Sequence, residues 1–313
     1  MGVPAQFEGV EQAGFSPAPL HLAIGIFDGV HLGHRAVIDA AVQSAHASGG
    51  QVAVLTFAPH PSVLLRPDNP THLLMDRASK ARVLGGLGVG AVITQPFTPA
   101  FATIGAEEFL PWLKRHLPPL AAIYVGENWR FGRGRGGDIA MLVAEGRKHG
   151  LRVFSAPRVN LNGEPISSSR VRTLLAEGDV AAANALLGYA YFSDGIVSAG
   201  KKLGRTIGFP TLNVAWSPDF RPRFGVYAVR VSGSRSPAPL KAVANYGLRP
   251  TVEKTAEPKL EVHVLEECPY DAGDAITVEW LQFLRPEMRF DGLGALRAQI
   301  ATDAERARAS FRA

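Results

Sequence analysis

The chain has 313 residues, enough for about two domains at roughly 150 residues each. Hydrophobic residues make up 46% and charged residues 19%, with a mean hydropathy of +0.05, which excludes a disordered chain. Lys+Arg 33 against Asp+Glu 28 leaves a net charge of +5, which suits an anionic small molecule and does not demand a nucleic-acid partner.

The first half alternates apolar runs with helix-like stretches. LHLAIGIF (20–27) reads as a buried strand, 32–47 as a helix and QVAVLTF (51–57) as a second strand. Residues 81–94 read as a helix end followed by a third strand, LAAIYVG (120–126) as a fourth and LRVFSAP (151–157) as a fifth. Strands separated by helices imply βαβ units and a parallel sheet. A helix fits 171–187, broken at Gly178–Asp179. After Gly188 short runs rich in Val, Tyr, Phe and Trp follow one another with turn residues between them, the texture of an antiparallel sheet or barrel. Residues 232–239 read as a mobile hairpin loop, and Leu293, Leu296 and Ile300 space one face of a terminal helix. The boundary falls near 188, giving domains 1–188 and 189–313.

Cys268 is the single cysteine, so no internal disulfide framework or Cys-rich zinc site is expected. The start of the chain lacks a basic region followed by an apolar one, and no apolar run approaches the roughly 18 residues needed to cross a bilayer. A cytoplasmic protein without a membrane partner is expected. Gly132, Gly134 and Gly137 satisfy GxGxxG, but the following strand lacks the terminal acidic residue that would hold a ribose. The same segment, WRFGRGRGGD (129–138), mimics an RGG stretch, and an RNA-binding protein built on it is a rival reading. GIVSAGKK (195–202) nearly spells a P-loop, yet has Lys202 where a magnesium-binding hydroxyl belongs.

The strongest local signal is GIFDGVHLGH (25–34). A strand ends at Phe27, a tight Asp28-Gly29 turn follows, and His31 and His34 open a helix, three apart and so on one face. A helix start favours anions, and Gly25 and Gly29 let backbone approach a phosphate closely. Two imidazole donors there can stabilise charge developing on an α-phosphate during nucleotidyl transfer. HxxH alone is more often a pair of capping or surface histidines. The preceding FDG and the intervening Gly33 favour the functional reading.

This segment resembles the HxGH nucleotidyltransferase superfamily, and further motifs narrow the resemblance to bacterial bifunctional riboflavin kinase/FAD synthetases. TFAPHP (56–61), VGENWRFGRGRGGD (125–138) and PISSSRVRTLLAEGDVAAANALLG (165–188) match that family's first half, with Trp129 and Ser169 replacing its usual Phe and Thr. GKKLGRTIGFPTLN (200–213) matches the riboflavin-kinase pattern without a gap, and KLEVHVLEE (259–267), VANYGLRPT (243–251) and FLRPEMRF (283–290) match further kinase segments. CPYDAGD (268–274) departs from the family's usual turn.

The resemblance implies an α/β plus β fold: a Rossmann-like nucleotidyltransferase domain, then a six-stranded antiparallel β-barrel riboflavin kinase domain with a C-terminal helix. It implies that riboflavin is phosphorylated by ATP to FMN, and that FMN is adenylylated by a second ATP to FAD and pyrophosphate. The rival within this class has only one activity alive. For adenylyl transfer it implies catalytic His31 and His34 and nucleotide-binding Gly25, Phe27, Asp28, Gly29, Asn128, Ser168, Ser169 and Arg172. Residues 167–169, three serines, are expected to cap a helix that begins near Val171 and from whose first turn Arg172 projects, a second phosphate clamp. For the kinase it implies Gly200, Gly204, Arg205 and Gly208 around ATP phosphates, Phe209, Pro210 and Arg285 at the flavin, and Glu261 as the carboxylate that takes the 5′-hydroxyl proton. Thr211 and Asn213, two apart on an extended segment, offer hard oxygens to Mg²⁺. His263, on the same strand face as Glu261, is expected to pack.

Overall fold

A computed structural model describes residues 2–199, 208–248 and 258–312, and the chain divides into two compact units, 1–168 and 169–313. In the first unit the elements run as β1 (Ala5–Glu8), β2 (Leu20–Ile24), α1 (Leu32–Ser48), β3 (Gln51–Ala58), α2 (Pro61–Leu65), α3 (Arg77–Gly86) and β4 (Ala91–Pro96). Then come α4 (Pro99–Ala102), α5 (Ala106–His116), β5 (Leu120–Gly126), α6 (Ile139–Lys148), β6 (Arg152–Ala156) and the short pair β7 (Asn160–Leu161) and β8 (Glu164–Pro165). The large sheet has the order β1-β4-β3-β2-β5-β6, and every pairing in it is parallel.

The central strands are continuous apolar runs because helices cover both faces. Leu20, Leu22 and Ile24 of β2 point to one core with Phe109, Leu110 and Leu113 of α5 and Leu142 of α6. Ala23 points to the other, with Val37, Ile38, Ala41 and Ala45 of α1 and Ala81 and Leu84 of α3. The sheet has one strand more than the five expected. Ala5–Glu8 pairs with β4 at the edge, and a half-exposed AQFE segment carries no apolar run to announce it. The chain moves from β2 towards β3 and β4 on one side and to β5 and β6 on the other. In such sheets the carboxyl ends of the strands at that reversal are the usual ligand site.

The second unit begins with the helix α7 (Ser168–Glu177), all but its first residue, and α8 (Val180–Leu187). They part at Gly178, with φ 87°, and Asp179 caps α8 through Ala182 N–H, as the expected break at 178–179 requires. Both helices are bonded to the C-terminal part of the chain. Leu175 and Glu177 carbonyls accept from Arg223, and the Asn184 amide donates to the Trp280 carbonyl while its oxygen accepts from Tyr191 N–H. Residues 169–187 therefore group with the barrel, whereas the change of sequence texture puts the boundary near 188.

The six strands β9 (Phe192–Ser198), β10 (Leu212–Ala215), β11 (Gly225–Gly233), β12 (Leu240–Gly247), β13 (Lys259–Val264) and β14 (Ala275–Arg285) close into an antiparallel barrel of order β10-β13-β12-β11-β14-β9. Trp280, Tyr227 and Tyr246 fill its interior, and the Trp280 indole N–H is satisfied by the Ser193 hydroxyl at 2.7 Å. The terminal helix α9 (Leu293–Ser310) packs Ala307 on Val226, Ala228 and Val243. Its expected face is only partly right, because Leu293 is 58% exposed. The helix instead docks through its second half, where the small side chains of Ala304 and Ala307 are buried beside Asp303.

Candidate active sites

The turn from β2 into α1 is strained and tightly held. Phe27, Gly29 and Val30 take φ of 50°, 76° and 36°. For Phe and the β-branched Val that conformation costs of order 1–3 kcal/mol each, so the surroundings must enforce it. They do. The Asp28 carboxylate, 1% exposed, accepts Leu74 N–H at 2.9 Å, and the Asp28 carbonyl accepts the Ser168 hydroxyl at 2.8 Å. The Ile26 carbonyl accepts both the Thr56 hydroxyl at 2.9 Å and the Lys80 ammonium at 2.8 Å. A Cβ on Gly25 would meet the Phe27 ring at 3.0 Å.

His31 is the N-cap of α1, its Nδ1 accepting His34 N–H at 3.2 Å. The two imidazoles stack, with centroids 3.6 Å apart and planes 12° apart, and a Cβ on Gly33 would come within 3.2 Å of the His31 ring. The capping reading is therefore met by His31. With Nδ1 accepting, Nε2 of His31 carries the proton and is the donor. Burial lowers the His31 pKa to about 4, and burial with the charges of His31 and Lys80 holds that of His34 well below its ordinary value. Both rings are neutral near pH 7, and His34 Nδ1 is buried with no partner among the described residues. Neutral N–H donors at a helix start can bind phosphate oxygens without first becoming desolvated cations.

A cavity of about 760 Å³ opens at the carboxyl ends of these strands, with Gly25, Ile26 and Asn128 on its wall. Its other walls are aromatic. Trp129 stacks on Phe131 at 4.8 Å and 13°, and Phe57, Phe97, Phe101 and Phe109 add further rings, an apolar surface of the kind that receives a flat ring system. Arg66, Arg130 and Arg135 stand at the same cavity. The glycines that mimic GxGxxG have steric reasons of their own. A Cβ on Gly132 would meet Ala106 backbone at 2.6 Å, and one on Gly137 the Phe131 ring at 2.6 Å. The loop folds back through the Phe131–Gly137 bridge and adds Gly134 and Arg135 to the cavity wall. His60 of TFAPHP, which received no role from sequence, caps α2 through Ser62 and lines the cavity too. Ser169 and Arg172 follow Ser168 on α7.

On the barrel, strand register places Asn213 of β10 directly opposite Glu261 of β13, and Asn245 of β12 opposite Glu261 on its other side. Thr211 stands two residues before Asn213, at the entry to β10. His263 does more than pack: its Nδ1 donates to the Pro210 carbonyl at 2.8 Å and its ring meets Phe209 edge-on at 5.3 Å, holding the segment that leads to Thr211. Gly208 takes φ 86°. Gly200, Gly204 and Arg205 lie outside the described residues. Arg285 is held by bonds within the second unit. Its Nη2 and Nε bind the Asp303 carboxylate at 2.7 and 3.0 Å, and Nη1 donates to the Pro286 carbonyl. With Arg285 and Asp303 side chains 11% and 2% exposed, that pair fastens α9 to the barrel.

The described residues contain no cluster of three or more His, Cys, Asp or Glu disposed around a metal. They also contain no helix long and apolar enough to cross a membrane.

Residues 16–170 match the family model for FAD synthetase, and residues 187–311 that for riboflavin kinase. A bifunctional riboflavin kinase/FMN adenylyltransferase of Escherichia coli (strain K12) is 39% identical over 93% of this chain and 92% of its own length. The protein of the same name from Bacillus subtilis (strain 168) is 36% identical over 91% of this chain and 90% of its own. Among solved structures, one titled as a macrolide-efflux protein from Streptococcus pneumoniae superposes with a TM-score of 0.85 at 28% identity, over 98% of this chain and 99% of that one.

Proposed function

Because this chain belongs to the family of bifunctional riboflavin kinase/FMN adenylyltransferases, we propose that each of its two reactions is carried by one of the two sites, the histidine turn and the Glu261 strand cluster. The protein phosphorylates riboflavin to FMN with ATP and adenylylates FMN to FAD. By motif, 1–188 is the adenylyltransferase domain and 189–313 the kinase domain.

In adenylyl transfer an FMN phosphate oxygen forms a bond to the α-phosphorus of ATP, and the bond to the leaving pyrophosphate breaks. No covalent enzyme intermediate is needed, so positioning and electrostatics do the catalysis. His31 and His34 donate to α-phosphate oxygens where charge develops, with Gly25, Phe27, Asp28 and Gly29 letting the turn approach the nucleotide. Asn128, Ser168, Ser169 and Arg172 complete the phosphate contacts. The aromatic cavity beside Gly25 and Asn128 suits an isoalloxazine ring. The observation that carries this reading is the pair of neutral, stacked imidazoles at a helix start, on the strand ends from which that cavity opens.

In the kinase, Glu261 accepts the riboflavin 5′-hydroxyl proton as the oxygen attacks the γ-phosphorus and ADP leaves. The Thr211 hydroxyl and the Asn213 carbonyl, the latter facing Glu261 in register, form the hard-oxygen set that Mg²⁺ prefers, and they would hold it. An ion held by these oxygens would supply charge neutralisation at the ATP phosphates. Gly208 stands at the ATP phosphates, with Gly200, Gly204 and Arg205 assigned to them by motif alone, while Phe209 and Pro210, held by His263, pack on the flavin. Arg285 joins them at the flavin, its guanidinium held in place by the Asp303 carboxylate. The same reading takes small molecules as the partners, without nucleic acid or membrane, and the cytoplasm as the compartment.

The test is incubation of the purified protein with riboflavin, ATP and Mg²⁺, with flavins separated by chromatography. FMN appearing first and FAD after it is the expected course. FMN that never becomes FAD would remove the adenylyl-transfer reading, and inert riboflavin and FMN would remove both.

A further inference from the structure

Lys80 is a buried cation to which neither sequence motif assigned a role. It lies on the inward side of α3, is 6% exposed, and donates from Nζ to the Ile26 carbonyl at 2.8 Å. A charged amine is not buried cheaply, so its partners matter. Three charged or titratable groups act on it or are acted on by it: the Asp28 carboxylate favours its charge, Arg77 opposes it, and His34 feels it in turn. The carbonyl it binds belongs to the last residue before the strained Phe27–Val30 segment, and Thr56 is the second donor to that oxygen.

We infer that Lys80 is a positioning residue for adenylyl transfer: its ammonium, clamped on the Ile26 carbonyl near Asp28, holds the left-handed turn that sets His31 and His34 at the start of α1. Removing one of two donors from that carbonyl lets a turn that is costly by itself relax. A displacement of about 1 Å at the imidazoles would cost roughly a hundredfold in rate. The charge has its own signature. Burial lowers the Lys80 pKa to about 8, so the clamp weakens as pH rises through that value, while the histidines, already neutral, do not change there.

This inference rests on the adenylyl-transfer reading. The experiment measures FAD formation from FMN and ATP between about pH 6 and about pH 10 for the wild type, Lys80→Arg and Lys80→Met, with riboflavin phosphorylation by the same preparations alongside. The wild type should lose FAD synthesis above pH of about 8 while FMN synthesis does not decline with it. Lys80→Met should show kcat lower by about tenfold to a hundredfold, KM for FMN and ATP within about threefold, and no further alkaline loss. Lys80→Arg, charged throughout, should recover much of the rate and keep it at high pH. Wild-type kcat in Lys80→Met, or an unchanged alkaline loss in that variant, would overturn the inference. If Lys80→Met does not fold, an identical alkaline loss in the wild type and Lys80→Arg would overturn it. A wild type that makes no FAD at any pH would instead overturn the adenylyl-transfer reading itself.

Discussion

The two sites are built in opposite ways. The histidine site comes from one turn, residues 25–34, whose side chains are largely buried and whose backbone is strained, and it is held by Ser168, Leu74, Thr56 and Lys80 from elsewhere in the first unit. The Glu261 site comes from neighbouring strands of a closed barrel, where register aligns Asn213, Glu261 and Asn245 and, among the described residues, no non-glycine takes a positive φ. One site draws its order from a network of buried polar groups, the other from a sheet ladder. A site of the first kind should be sensitive to protons and to distant substitutions. A site of the second kind should be sensitive chiefly to loss of the reacting group.

The largest expected effect tests the barrel half of that contrast. Glu261→Gln keeps the strand pairing and removes the proton acceptor, so riboflavin phosphorylation should fall by about 10²–10⁴-fold while FAD formation from supplied FMN persists. A fall in both activities would show that the barrel residue is not confined to one reaction.

Next in size is the fastening of α9. Asp303→Ala leaves the Arg285 guanidinium buried without its carboxylate, which should cost about 3–5 kcal/mol of barrel stability by denaturant unfolding. An unchanged midpoint would show that this pair does not fasten α9 to the barrel.

Acid gives a smaller effect on the other unit. The folded-state pKa of His31 is about 4 against 6.5 for the free side chain, so the unfolded chain binds the proton first. That contribution, about 3 kcal/mol, is complete above pH of about 6.5 and is lost as pH falls towards about 4, with His34 acting in the same direction. Hydrogen exchange at pH 5 and pH 7 should therefore show α1 and β2 losing protection in acid more than β13 does. Equal loss in both would mean that the buried imidazoles do not set the difference.

Legibility in the sequence split along the same line. GIFDGVHLGH could be read because strand, turn, cap and histidines are contiguous, and the reasons for Gly25 and Gly33 are local contacts with Phe27 and His31. Thr211, Asn213 and Glu261 could be named from their motifs, but that Asn213 and Asn245 flank Glu261 depends on barrel closure, which no short window encodes. Lys80 was invisible for a related reason. In MDRASKARV it looks like one of several solvent-facing charges on a helix, and only the packing of α3 over β2 turns it inward. The edge strand β1 and the docking face of α9 were missed because exposure and small alanines erase the apolar periodicity on which such readings depend.

The central claim is that the two chemistries reside in separate sites, and His31→Ala tests it most directly. Given riboflavin, ATP and Mg²⁺, this variant should accumulate FMN at the wild-type rate and convert it to FAD about 10²-fold or more slowly. FAD forming as fast as in the wild type, or FMN failing to form in the folded variant, would contradict it.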